Sequence, residues 1–375
     1  MSKNISIGLL IPSSTILPVG KDFEQGVKRG LKTLTTSGDY AIEFIPEFIA
    51  EGSKEKTETA INKLITYHNV DLITGIISNR TLQVLAEKLS KTKTPVIINN
   101  IGEHILDARL LQPNVYINST HVWQQIWSLG YWGVQSKGLK GMFMSGIYDS
   151  GYSFSLMLQM GMQAANENAS MPFAVAPVSI PGSLADVKST FQYIDQFQPD
   201  FIFATFCGEE ASIFLKEYVE RGYHKTTPLI GLPFLLQPFD SAGEEVTIYT
   251  TVTSNTDIDE SQLDDLTAMA ENPFPYLGYE TGLLIQEAVT HTENLKDLKQ
   301  TIAETTIHSQ RGKINMSSQE SGDGAKVFLI KNTFNGKNIK REIVQELNTL
   351  YANNETLIEA LDVPSSGWYN PYPGV

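Results

Sequence analysis

The feature that most constrains the fold is the alternation of short apolar runs with segments of helical periodicity over the first 250 residues. Residues 5–11 form a continuous apolar run, which is typical of a strand covered on both faces. Phe23, Val27 and Leu31 then recur at helical spacing, and residues 42–48 return to a strand-like pattern. Strand–helix order repeated in this way predicts a parallel sheet with helices on both faces.

The same order of strands and helices recurs about 130 residues later in the chain. Asp71-Leu72-Ile73 begins one apolar run, and Asp200-Phe201-Ile202 begins another. Thr94-Pro95-Val96 and Thr227-Pro228-Leu229 keep nearly the same offset. Each pairing is short, but the shared order and offset indicate two similar lobes. The predicted fold class is therefore α/β, with two doubly wound, Rossmann-like parallel-sheet lobes.

The pattern changes after residue 252. Residues 253–271 are polar and acidic, and a helical pattern follows over residues 278–291. Residues 325–330 and 338–344 predict two late strands joined by a turn-rich segment. Residues 353–375 are irregular and rich in aromatic side chains, and we predict that this tail packs on a lobe.

Charge and hydropathy limit the partners. The 28 Lys and Arg residues against 42 Asp and Glu residues give a formal net charge of −14. This charge argues against nucleic acid, whose phosphates need a basic surface, and against an anionic membrane surface. No apolar run approaches the roughly 18 residues of a membrane span, so no membrane insertion is expected. The chain enters a strand-like run directly after Met1, without a leader pattern, which predicts a cytoplasmic location if Met1 is the native start.

Signals for metals, cofactors and catalysis are weak. The single cysteine, Cys207, ends an apolar strand and is interpreted as inert core. The six histidines show no metal-ligand spacing, so we predict neither a metal nor a cofactor. The sequence has no nucleophile elbow, no Walker A loop and no dinucleotide-binding glycine fingerprint after a strand. Gly26 and Gly30 lie inside a helical pattern and predict close helix–sheet packing.

Several segments, in order, carry a resemblance to a known family. They are the opening run Ile5-Ser6-Ile7-Gly8-Leu9-Leu10-Ile11-Pro12 with Gly20, Phe23, Gly26 and Gly30, residues 70–78 followed by Thr94-Pro95-Val96-Ile97-Ile98, residues 148–152, Gln198-Pro199-Asp200, and Gly278-Tyr279-Glu280-Thr281. From about residue 5 to residue 344 the chain resembles the type I periplasmic binding proteins. The resemblance is to their branched-chain amino acid (leucine/isoleucine/valine) binding family, which serves ABC transporters.

The resemblance implies two lobes joined by three crossovers, near residues 118–120, 252–255 and 314–334. Lobe 1 would comprise residues 1–118 plus about 255–330. Lobe 2 would comprise residues 121–250 plus about 334–375. The implied function is that of an extracytoplasmic solute-binding protein, not an enzyme. Its partners would be a small-molecule ligand held between the lobes and an ABC permease, and its location would be periplasmic if a leader was removed.

Candidate site residues follow from the geometry of open α/β sheets, whose ligands bind beyond the carboxyl ends of the strands. Loops at those ends, and the start of the late helix, supply the candidates. The candidate ligand-binding residues are Ser13, Ser78, Asn79, Asn100, Ile101, Gly102, Tyr148, Tyr152, Phe206, Phe234 and Tyr279.

Several of the candidates also have a plainer structural interpretation. Ser78 precedes a predicted helix, where free backbone N–H groups suit an acceptor on a ligand, but serine is also a common N-cap. Tyr152, Phe206 and Phe234 would give the cleft flat apolar surfaces, or they would belong to the cores of the lobes. Tyr279 would line the cleft or only cap its helix.

The loops depart from those of amino-acid binders in the family. The small residues and hydroxyl that hold a ligand carboxylate are replaced by Asn99-Asn100-Ile101-Gly102-Glu103. The loop expected to hold an acidic residue for the ligand ammonium reads Leu232-Pro233-Phe234-Leu235. A buried charge without a partner costs several kcal/mol. We therefore predict an aromatic acid, an amide or a peptide-like ligand, unless Glu209 or Glu210 supplies the missing acid.

Two alternatives remain open from the sequence. A cytoplasmic ligand sensor or regulator on the same fold would agree with the missing leader. An enzyme built from two Rossmann-like domains is the other, and the missing glycine fingerprint counts against it.

Overall fold

The structure is a computed structural model that describes residues 3–14, 17–180, 182–319, 325–350, 357 and 361. The first sheet has five parallel strands in the order β2-β1-β3-β4-β5. These strands are β1 (Lys3–Ile11), β2 (Tyr40–Phe48), β3 (Leu72–Ile76), β4 (Val96–Asn100) and β5 (Val115–Ser119). The helices between them are α1 (Val19–Gly30), α2 (Lys32–Thr36), α3 (Lys54–Thr66) and α4 (Asn79–Leu89).

The second sheet has seven strands in the order β14-β13-β10-β9-β8-β6-β7. They are β6 (Gly141–Gly146), β7 (Phe173–Ala176), β8 (Phe201–Ala204), β9 (Leu229–Gly231), β10 (Glu245–Ser254), β13 (Lys326–Asn335) and β14 (Asn338–Leu347). Strands β6 to β10 pair in parallel, whereas β13 and β14 add an antiparallel edge. The helices of this part are α5 (Val122–Ser136), α6 (Phe154–Ala165), α7 (Gln192–Phe197), α8 (Gly208–Glu220) and α9 (Leu263–Glu271).

The remaining elements are α10 (Phe274–Thr290), α11 (Leu298–Glu304) and an antiparallel hairpin of β11 (Thr306–Ser309) and β12 (Gly312–Asn315). Together, the two wound sheets confirm the predicted fold class. The predicted aromatic tail, residues 353–375, lies outside the described residues apart from 357 and 361.

Helix α10 returns the chain to the first lobe by packing on α1 through glycines. A Cβ on Gly26 would lie 2.3 Å from the Pro275 carbonyl oxygen, and one on Gly278 would lie 2.2 Å from the Phe23 carbonyl oxygen. The prediction that Gly26 packs a helix on a sheet is therefore wrong, because the close approach joins two helices. The glycine contacts let the two backbones approach at distances that any side chain would prevent.

Helix α9 packs on the second sheet. Leu263 and Leu266 form an apolar cluster with Val252, Phe328 and Ile330, which belong to β10 and β13 of the second sheet. The chain therefore reaches the first lobe at α10, later than the predicted position near residue 255. The acidic, polar sequence of α9 gave no indication of which sheet this helix would cover.

The largest apolar cluster contains residues from both lobes, among them Ile101, Trp123, Tyr152 and Phe203. Smaller clusters fill the opposite face of each sheet. Among the described residues, no helix combines the length and apolar character needed to cross a membrane.

Candidate functional site

Loops from the two lobes meet beyond the carboxyl ends of β4 and β6. The backbone N–H of Ser153 donates to the carbonyl oxygen of Glu103 at 3.1 Å. Nδ1 of His104 lies 3.3 Å from the hydroxyl oxygen of Ser153. The rings of His104 and Tyr152 lie 5.5 Å apart. This junction has the position expected for a ligand site in an open α/β sheet.

Ser78 is the N-cap of α4. Its hydroxyl oxygen accepts from the backbone N–H of Thr81 at 3.0 Å, and the hydroxyl lies 3.0 Å from the Thr81 hydroxyl. The side chain is fully buried. The structure thus shows the capping role of Ser78, which satisfies one of the free N–H groups at the start of the helix.

Asn79 and Asn100 lie next to each other, but their side-chain amides form hydrogen bonds with other groups of the protein. The Asn100 amide nitrogen donates to the Asn79 side-chain oxygen at 2.7 Å, and its own oxygen accepts from the backbone N–H of Gly102 at 3.0 Å. The Asn79 amide nitrogen donates to the His104 carbonyl oxygen at 2.9 Å. The two asparagines therefore position the loop that follows β4.

That loop rests on the first crossover between the lobes. Gly102 has φ of +74°, and a Cβ there would lie 2.7 Å from the Cα of His121. The carbonyl oxygens of Ile101 and Gly102 accept from the backbone N–H groups of Val122 and Trp123 at 2.8 and 3.0 Å. Only glycine has both the backbone freedom and the lack of a side chain that this contact requires.

Glu103 lies in the same loop, and the predicted set omits it. Its side chain is fully buried, and Oε1 accepts from the backbone N–H of Asn79 at 3.0 Å. Oε2 has no hydrogen-bond partner in the described part of the chain. Burial raises the pKa of the Glu103 carboxyl to about 8. At neutral pH this carboxyl is therefore protonated and can donate a hydrogen bond.

Other buried polar atoms also lack a partner within the described ranges, and three of them lie within four residues after the end of β5 or β8. They are Nε2 of His121, Nε1 of Trp123 and the hydroxyl oxygen of Thr205. Burial, followed by the nearby charge of Arg311, lowers the pKa of His121 to about 3, so this imidazole is neutral. The sequence signal for all three is their position within four residues after a strand, and residue type alone did not single them out.

The predicted aromatic residues have different surroundings. Phe206 is fully buried in the core of the second lobe and stacks on Phe214 at 4.9 Å, so it is a core residue in this structure. Tyr152 lies at the junction of the lobes, beside His104. The Tyr148 hydroxyl accepts from the backbone N–H of Gly182 at 3.0 Å. Of the five aromatic residues in the predicted set, Tyr152 is the one placed against the loop of the other lobe, through its contact with His104.

The remaining predicted residues lie at the margins. Phe234 is buried and, with Thr120 and Gln125, lines a small cavity near α9. Tyr279 packs in a surface groove between α1 and α10, where the Arg29 guanidinium lies 4.9 Å from its ring centre. Ser13 is exposed after β1. Tyr279 therefore does not join the loops that meet between the lobes, because its helix presents it to α1.

The second lobe places a thiol beside a carboxylate. Cys207 Sγ lies 3.4 and 3.5 Å from the two carboxylate oxygens of Asp149. Burial, followed by the Asp149 charge, raises the pKa of the Cys207 thiol well above its ordinary value. The thiol is therefore protonated and a poor nucleophile. No group of three metal-ligating side chains occurs among the residues that the structure describes.

Comparison with known proteins gives a consistent result. A sequence model of the family described as "Periplasmic binding protein" matches residues 4–327. A search of curated proteins finds no match.

Solved structures of solute-binding proteins share the fold. An ABC transporter substrate-binding protein from Sphaerobacter thermophilus is 21% identical, with a TM-score of 0.67 over 92% of this chain and 98% of that chain. A solute-binding protein from R. palustris in complex with benzoate is 18% identical, with a TM-score of 0.67 over 93% and 98%. A branched-chain amino acid binding protein from Streptococcus pneumoniae in complex with isoleucine is 15% identical, with a TM-score of 0.63 over 91% and 99%.

Proposed function

This chain belongs to the periplasmic binding protein family, and from that premise we propose that it is the extracytoplasmic solute-binding component of an ABC transporter. It binds a small organic ligand between its two lobes and delivers the ligand to a permease. The lobes close on the ligand by a hinge motion, with contacts from both sides.

The observation that carries this proposal is a set of four buried polar atoms without partners in the described ranges, located just after strands or in the first turn of α5. Glu103, His121 and Trp123 supply three of them from the first lobe and the first crossover, and Thr205 supplies one from the second lobe. A buried polar group without a hydrogen bond costs about 1–3 kcal/mol. Four such groups close to the carboxyl ends of the strands, in both lobes, are explained by a ligand that satisfies them.

The proposed role includes no chemical step. The Cys207 thiol is protonated and donates a hydrogen bond to Asp149. Burial raises the pKa of the Glu103 carboxyl. These groups suit hydrogen bonding better than nucleophilic or base catalysis at neutral pH.

The ligand class follows from the same loops. Leu232, Pro233 and Phe234 supply no carboxylate for a ligand ammonium, and Glu103 stands where the resemblance expects a hydroxyl for a ligand carboxylate. An aromatic acid or an amide therefore fits better than an α-amino acid. The benzoate complex of the R. palustris protein shows that this fold accommodates an aromatic acid in a relative.

A binding screen tests the proposal. The twenty amino acids, benzoate, 4-hydroxybenzoate and benzamide are tested by thermal shift, and each hit is measured by calorimetry. A ligand at 100 times its Kd stabilises the protein by about 2.7 kcal/mol. Native mass spectrometry of the purified protein detects ligands retained from the expression host.

The outcomes separate the parts of the proposal. If leucine, isoleucine or valine gives the largest shift, the ligand class is wrong and the binding function stands. If no compound shifts the melting temperature and no small molecule is retained, the binding function itself is refuted.

A further inference from the structure

The first turn of α4 is already occupied by protein groups. Free N–H groups at a helix N-terminus commonly bind an anion. Here the N–H of Asn79 donates to Oε1 of Glu103 at 3.0 Å, and the N–H of Thr81 donates to the Ser78 hydroxyl oxygen at 3.0 Å. A ligand carboxylate would have to displace these contacts to use either group.

Glu103, His121 and Trp123 are connected through closely packed backbone. A Cβ on Gly102, the neighbour of Glu103, would lie 2.7 Å from the Cα of His121, and the Gly102 carbonyl oxygen accepts from the N–H of Trp123 at 3.0 Å. The rings of His121 and Trp123 meet edge to face at 6.3 Å. Each of the three side chains has a buried polar atom without a partner in the described ranges: Oε2, Nε2 and Nε1 respectively.

None of these three groups is charged at neutral pH. The indole is always neutral, and burial holds the His121 imidazole neutral and the Glu103 carboxyl protonated. The Arg311 guanidinium near His121 is already paired with Glu280. A ligand charge buried against the three groups would therefore have no unpaired counter-charge on them, which is unfavourable. An uncharged carboxamide complements these three groups. Its oxygen accepts from the Trp123 N–H or the Glu103 hydroxyl, and its N–H donates to the remaining acceptor, Nε2 of the neutral His121.

We propose that Glu103 is the specificity-determining residue of the cleft and that it selects an uncharged hydrogen-bonding group of the ligand, such as a carboxamide, over a carboxylate. This assignment rests on the ligand-binding function proposed above.

Other titratable or charged side chains lie on the elements packed around Glu103. They are Arg80 on α4, His104 in the same loop, His121 before α5, and Asp149 and Tyr152 in the loop before α6. His104 contacts Ser153, and Asp149 accepts from Cys207. Arg80, and Arg311 close to His121, are the cationic side chains that would favour a carboxylate, so the experiment compares an acid directly with its amide.

Matched pairs of compounds give the test. Calorimetry at pH 7 compares benzamide with benzoate, and 4-hydroxybenzamide with 4-hydroxybenzoate, on the wild-type protein. We expect each amide to bind at least about tenfold tighter than its acid. The affinity for benzamide, which does not titrate in this range, is then measured from pH 6 to pH 9. It should fall above pH 8, by up to about tenfold per pH unit, as Glu103 ionises.

A variant and a matched control locate the effect. In Glu103→Gln the amide stands in for the protonated acid, so the variant should bind benzamide within about threefold of wild type, without the loss above pH 8. Glu167→Gln removes an exposed carboxyl in the turn after α6 and should leave both the affinity and its pH profile unchanged.

Three results would overturn the assignment: an acid that binds as tightly as its amide, a wild-type affinity for benzamide that is constant from pH 6 to pH 9, or no binding of any of the four compounds. The wild-type measurements decide the matter even if a variant fails to fold. Binding of other compounds in the broad screen would leave the solute-binding function intact.

Discussion

Arg311 and Glu280 form a buried ion pair at the junction of the lobes. Their side chains are 2% and 1% exposed, and Nε of Arg311 donates to Oε1 of Glu280 at 3.1 Å. The same guanidinium donates to the Ser119 carbonyl oxygen at 2.6 Å and to the Asn118 side-chain oxygen at 2.7 Å. The Arg311 carbonyl oxygen accepts from the N–H of Asn255 at 2.7 Å. One residue thus joins the first crossover, the end of β10 and α10.

Replacing Arg311 should be far more costly than replacing the whole pair. Arg311→Met leaves the Glu280 carboxylate buried without its partner, and we expect unfolding free energy to fall by about 3–5 kcal/mol. The double variant Glu280→Met with Arg311→Met removes both charges, so it should be more stable than the single variant. Urea unfolding followed by circular dichroism measures both.

A surface pair gives the control for this prediction. Lys331 and Glu342 lie 4.0 Å apart with side chains 37% and 39% exposed. Lys331→Met should change unfolding free energy by no more than about 1 kcal/mol. If Arg311→Met costs as little as the control, the junction does not depend on the buried pair.

Ser78→Ala should reduce stability rather than ligand affinity. The Ser78 hydroxyl caps α4, and loss of such a cap costs about 1 kcal/mol. Ser53 provides a matched control, because it is the N-cap of α3 but its side chain makes no capping hydrogen bond. Ser53→Ala should therefore change stability by less than about 0.5 kcal/mol. A large loss of affinity in Ser78→Ala with unchanged stability would instead favour direct ligand contact.

Gly102→Ala should destabilise the protein more than Gly38→Ala. Both glycines have positive φ, +74° and +78°, so both substitutions incur a backbone cost of roughly 1–2 kcal/mol. Only Gly102 has a neighbour within reach of an added Cβ, the backbone of His121 at 2.7 Å, whereas nothing lies within 4 Å at Gly38. Overpacking should add about 1–3 kcal/mol at Gly102. Equal losses in thermal unfolding would show that the loop moves away without cost.

The Glu103 carboxyl should make stability fall as pH rises. Its pKa is about 8 in the folded protein against an ordinary value of 4.5, so between these values the folded chain holds a proton that the unfolded chain has released. Unfolding free energy should therefore decrease with rising pH across this window, by up to about 1.4 kcal/mol per pH unit, and level off above pH 8. The difference between wild type and Glu103→Gln in urea unfolding isolates this contribution. A difference that does not vary with pH would contradict it.

The His121 imidazole should make the unfolding free energy fall as pH decreases, in contrast to the Glu103 carboxyl. Its folded pKa of about 3 lies below the ordinary 6.5, so the unfolded chain binds the extra proton between these values. Stability should therefore fall as pH drops below 6.5. Comparison of wild type with His121→Gln checks the sign, since the variant should lose less stability on acidification. A variant that follows the wild-type profile would show that His121 is not buried in its neutral form.

The sequence predicted where many of the candidate site residues lie, but not which contacts they make. Residues 99–103 could be placed at the end of a strand, because strand ends follow from local apolar runs. That Asn100 would bond to Asn79, and that Glu103 would cover the start of α4, depends on contacts across 21 and 24 residues. Phe206 shows the same limit, since an aromatic residue after a strand can face a cleft or a core with equal local signal.

The sequence by itself determined the alternation of strands and helices over the first 250 residues and the two-lobed α/β class, and it placed the candidate loops at the carboxyl ends of the strands. These follow from periodicity and strand direction, which are encoded within a few neighbouring residues. The tertiary structure alone decided that α9 covers the second sheet, that Arg311 bridges the crossovers to Glu280, and which buried polar atoms lack a partner. Burial and hydrogen-bond pairing are set by residues distant in the chain, so no local pattern specifies them.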